Sequence, residues 1–99
     1  MLDINIISKR FFELSINGNK YFVEPCSLKT LKRFFGMGKL ESEEGLVEYV
    51  AIMKKIIDKN RDEKQISIDT LDELSIDQIN YILENYMGWM KEIKNSPNS

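Results

Sequence analysis

Cys26 is the only thiol in this 99-residue chain, and no histidine is present to raise its thiolate fraction. A nucleophilic cysteine needs such activation. Lying just after an apolar run and Pro25, Cys26 reads as a small buried thiol instead. The lack of histidine also removes every dyad or triad built on imidazole, together with the common zinc sites. Carboxylates gather at Glu41, Glu43 and Glu44, and again at Asp69, Asp72, Glu73 and Asp77. Neither group has the spacing and closing glutamate of a calcium loop, and helix N-termini attract acids for electrostatic reasons alone. Gly36-Met37-Gly38-Lys39 lacks the second half of a phosphate-binding fingerprint and reads as a helix stop. The expectation is a protein with no catalytic residue, no metal and no cofactor.

Binding chemistry is better represented. Lys29, Lys32 and Arg33 lie on one face of a short helix, where they can meet an acidic partner or face solvent. No aromatic residues alternate with them and the net charge is −2, so nucleic acid is not an expected partner. Ile82, Tyr86, Trp89 and Met90 lie on the apolar side of the last helix, with Met87 at its far edge. That apolar arc is wider than the ~100° a helix needs to pack on one core. The helix beginning near Ser42 is similarly wide, with Ile52 extending one edge. Deep burial and an interface are the two readings. Aromatic residues and methionine are enriched at interface cores, which makes Ile82, Tyr86, Trp89 and Met90 the candidate partner contacts. Lys29, Lys32 and Arg33 form a weaker polar patch. Tyr81 lies off the stripe and reads as a single exposed aromatic.

These residues must be positioned by few elements. The length suits one domain, residues 1–94, with 95–99 as a flexible tail. Apolar residues make up 42% and charged residues 30%, the balance of a globular chain. A lone cysteine favours a reducing compartment, Met1–Ile7 does not read as a signal peptide, and no run is long enough to span a membrane. Leu2, Ile4 and Ile6 alternate with polar residues as a short strand or extended arm. Phe12-Glu13-Leu14-Ser15-Ile16, then Asn17-Gly18, then Lys20 to Glu24 predict a β-hairpin closed by a type I′ turn. Pro25 ends it. Ser27 caps a helix over 28–35 whose apolar face is Leu28, Leu31, Phe34 and Phe35, and Gly36 and Gly38 stop it. Ser42 opens a second helix running to about Asn60, with Leu46, Tyr49, Val50, Met53, Ile56 and Ile57 on one side. Arg61 to Gln65 reads as a charged connection, and Ser67 to Leu74 as one or two helical turns. Ser75 and Gln78 form a capping box for the last helix, whose stripe is Ile76, Ile79, Leu83, Tyr86, Met90 and Ile93. The fold class is α+β: an N-terminal hairpin, a short helix, then two longer amphipathic helices.

This order resembles the small tail assembly chaperones of long-tailed bacteriophages of Gram-positive hosts. The resemblance begins at Phe11-Phe12-Glu13-Leu14-Ser15-Ile16-Asn17-Gly18-Asn19-Lys20-Tyr21-Phe22 and passes through Pro25 and the 28–35 helix. It ends with a helix introduced by Leu71-Asp72-Glu73-Leu74-Ser75. It implies a non-catalytic protein of the host bacterial cytoplasm that keeps the tape-measure protein soluble and helps recruit the tail-tube protein. A structural tail connector or completion protein, and a small phage regulatory binding protein, are the alternatives. Self-association into a homo-oligomer stays open.

Overall fold

The computed structural model describes residues 2–4, 10–36 and 42–92. Several sequence expectations lie outside them: Ile6 of the arm, Gly38 as a helix stop, Glu41, Ile93 and the 95–99 tail. The element order is β1 (Phe12–Ile16), β2 (Asn19–Val23), α1 (Leu28–Phe35), α2 (Glu43–Asp58), α3 (Ile68–Asp72) and α4 (Ile76–Lys91). This is the α+β arrangement expected.

β1 and β2 pair antiparallel with Phe12 opposite Val23 and Ile16 opposite Asn19. Asn17 and Gly18 take φ of 51° and 85°, the two positive values that a type I′ turn requires. Each helix starts at a serine outside it: the hydroxyls of Ser27, Ser42, Ser67 and Ser75 accept from the backbone N–H of Thr30, Gly45, Thr70 and Gln78. The Ser75–Gln78 box is reciprocal, because the Ser75 amide donates to Gln78 Oε1 at 2.9 Å.

The hairpin lies over the helices with Ile16, Tyr21 and Val23 facing in. They meet Ile52, Met53, Ile56 and Ile57 of α2, Leu71 of α3, and Ile79, Leu83 and Tyr86 of α4 in one buried cluster. Ile52, expected at the edge of an over-wide face, is fully buried. α2 ends at Asp58, short of the expected Asn60, because Asn60 leaves the helix to bridge Val23. The Glu24 amide donates to Lys59 O and the Arg61 amide to Phe22 O, both at 2.9 Å, so a charged connection closes the outer edge of β2.

Three polar side chains hold that connection. Buried Asn60 donates through Nδ2 to Ile57 O and Lys64 O, both at 2.8 Å, and accepts from the Lys64 amide at 2.9 Å. Asp58 accepts from the Ile66 amide at 2.8 Å. Lys54 Nζ bridges Asp58 Oδ2 and Ile66 O, each at 2.7 Å.

Arg10 ties the start of the hairpin to the end of α4. Its guanidinium donates to Trp89 O at 2.9 Å and Met90 O at 3.0 Å, and lies 4.2 Å from the centre of the Trp89 ring. Carbonyls at a helix C-terminus have no partners within the helix and carry the negative end of its dipole, so a cation there is doubly favoured. Arg10→Met keeps the apolar stem and removes the donors and charge. It is expected to cost about 1–2 kcal/mol. Trp89 is the only tryptophan, so its fluorescence shifting red before the global transition would report the freed last turn.

Candidate functional site

The expected partner residues divide once the fold forms. Tyr86 is only 2% exposed. Its hydroxyl donates to Glu24 O at 2.8 Å, and its ring lies edge-on to Phe12 and stacks on Trp89. Burial, more than its neighbour Cys26, pushes the Tyr86 phenol far above the ordinary tyrosine range. The expectation that Tyr86 touches a client is corrected: it is a core residue that anchors the end of the hairpin. Trp89 is half-buried between Phe12 and Arg10. Met90 is half-buried too, its sulfur 4.0 Å from that of Cys26, which is itself half-buried. Ile82 is half-buried beside Leu14. The chain thus uses the Tyr86–Trp89–Met90 turn mainly to hold its own N-terminal strand.

The cationic patch is dispersed rather than focused. Lys29 and Lys32 are exposed, and Arg33 lies 3.8 Å from Glu48. Both partners of that pair are about half exposed, so it contributes little to stability. Leu28 and Phe35, expected on the packed face of α1, are 73% and 66% exposed. Thr30 takes the buried place, its hydroxyl accepting from the Ser27 hydroxyl at 3.2 Å.

The exposed Phe35 marks a groove that sequence reasoning missed. α1, α2 and α4 enclose an open trough with about 430 Å³ of space, lined by Phe34, Phe35, Tyr49, Leu83, Met87 and Gly88. Phe35, Phe34 and Tyr49 form an aromatic row with centroid spacings of 5.8 and 6.2 Å. Glu84 and Lys91 stand on the rim, one of each sign. The Tyr49 hydroxyl donates to Asn80 Oδ1 at 3.4 Å, and burial raises its phenol above the usual range. A Cβ added at Gly88 would meet no atom within 4 Å, so the helix surface there is bare backbone. Glycine costs a helix interior about 1 kcal/mol relative to alanine, and among the described residues no packing requires it. The sequence signal was present in Met87-Gly88, but periodicity cannot say which side of a wide helix stays uncovered.

The remaining chemistry is sparse. Among the described residues no three His, Cys, Asp or Glu side chains converge to hold a metal, and no helix is long and apolar enough to cross a membrane. The void inside the core is about 10 Å³, at the limit of one water molecule. No family model, curated protein or solved structure matches the chain.

Proposed function

We propose that this chain is a non-catalytic assembly chaperone of a phage or prophage tail module, acting in the host cytoplasm on the tape-measure protein. The observation that carries the reading is the open, aromatic-walled groove between α1, α2 and α4. An amphipathic client helix laid in such a trough buries its apolar stripe while its polar face stays wet. Bare backbone at Gly88 admits close approach, and Met87 supplies an adaptable floor for clients that differ in detail. The near-neutral rim fits a client held by apolar burial rather than by charge. The order of hairpin and helices, which resembles that of the tail chaperones, supplies the identity of the client.

Light scattering coupled to size exclusion, on the chain alone and then with a recombinant tape-measure fragment, tests the reading. The expected result is a stoichiometric complex in which the fragment stays soluble. A large closed ring that ignores the fragment would point to a structural tail component and end the chaperone reading. Salt-dependent binding to DNA or RNA that fails when Lys29, Lys32 and Arg33 are replaced would point to a regulator instead.

A further inference from the structure

The two charges on the rim of the trough cancel in sum but not in order. Glu84 and Lys91 are exposed on α4 seven residues apart, two turns of helix. They therefore share one face and stand about 10.5 Å apart along the axis. α4 gives neither charge a partner of its own. The positions three and four residues from Glu84 are Asn80, Tyr81, Met87 and Gly88, and Met87 and Gly88 also precede Lys91 by four and three. None of these is ionic, and among the described residues neither Glu84 nor Lys91 enters an ion pair. Gly88 lies between them, where an added Cβ would meet no atom within 4 Å. Along α4 the stripe is an anion, then bare backbone, then a cation.

We infer that the trough selects the direction of its occupant, an amphipathic helix lying antiparallel to α4. An acidic residue of that helix sits beside Lys91, an apolar side chain three positions later covers Gly88, and a basic residue four further on meets Glu84. This rests on the reading of the trough as the client site. Acid first and base last is also the order a helix itself favours, because its N-terminus attracts anions and its C-terminus cations. A parallel helix with that order sets like charges together at both rim positions. Apolar burial supplies the affinity, to which two exposed ion pairs add little. Their effect is on orientation, since reversing the helix turns two attractions into two repulsions. Meeting both charges also fixes the packing class. A crossing near 20° keeps the axes together over two turns, whereas one near 50° carries the second contact out of reach.

Two synthetic helical peptides with a leucine stripe and this charge order are the probes. One carries a cysteine four residues after its base, the other four residues ahead of its acid. Each is equilibrated in a thiol–disulfide buffer with the Asn80→Cys chain in a Cys26→Ser background. Position 80 is exposed and lies one turn before Glu84 on the trough wall. The expected result is about tenfold more mixed disulfide with the first peptide than with the second. Exchanging the rim charges, Glu84→Lys together with Lys91→Glu, leaves the net charge unchanged and is expected to reverse that preference. Equal capture of both peptides, or an unchanged preference on the exchanged rim, would overturn the inference and leave the trough as the client site. Capture of neither peptide would remove the trough reading and this inference with it.

Discussion

Asn60→Ala is expected to lower the unfolding free energy by about 3 kcal/mol, read from denaturant titration at unchanged slope. The side chain makes three hydrogen bonds of 2.8–2.9 Å in a buried position, and alanine supplies none of them. Net hydrogen bonds contribute about 1 kcal/mol each, and the groups left without a partner add a desolvation cost. Against the roughly 5–15 kcal/mol that holds a domain of this kind together, the loss is large. It should appear as a fall of roughly 12–24 °C in Tm. Amide exchange gives a sharper readout. The Glu24 and Arg61 amides bond across the β2 edge that Asn60 organises, so their protection should fall furthest. Unchanged protection there, with less than about 1 kcal/mol lost, would mean that Asp58 and Lys54 hold the connection without Asn60.

Phe35→Asp is expected to weaken binding of a tape-measure fragment by at least about 2 kcal/mol, roughly 30-fold, while leaving the fold intact. Phe35 is 66% exposed, so its loss costs the free protein little. A charge at the mouth of an apolar trough must be desolvated when a client helix docks. Gly88→Leu provides the decisive contrast. Leucine is the better helix former and meets no atom within 4 Å of its Cβ, so this variant should be more stable by up to about 1 kcal/mol. Its side chain fills the groove floor, so client binding should drop together with that of the Phe35 variant. A rise in stability with a fall in binding separates an occupied groove from general damage. Full binding by both variants would move the client site away from α1 and toward the hairpin side of α4.

Local chemistry was plain in the sequence. Asn17-Gly18 marked the hairpin turn, and Ser27, Ser42 and Ser75 marked helix starts that the structure places at those residues. Each of these signals acts within about four residues, where backbone sterics and capping bonds decide. Long-range pairing was hidden. Periodicity gave the apolar face of α4 but not the fact that Arg10 and Phe12 cover Trp89. The 28–35 pattern gave α1 but not the exposure of Phe35, because helix propensity is indifferent to what lies opposite. Asn60 read as the last residue of the second helix, just ahead of a charged run. Only the return of that run to β2 makes it a central hydrogen-bonding residue.

The Arg10 hook also sets a sequence of events during synthesis. Its first acceptor, Trp89 O, lies 79 residues downstream. At ribosomal speeds of about 5–20 residues per second, Arg10 is added to the chain on the order of 4–16 s before that carbonyl has been made. The hairpin and α1 can take shape in that interval with the guanidinium still in water. The last turn of α4 is therefore finished only when Arg10 meets a segment made 79 residues later. A chain interrupted before Trp89 leaves Arg10 with neither its ring nor its carbonyls.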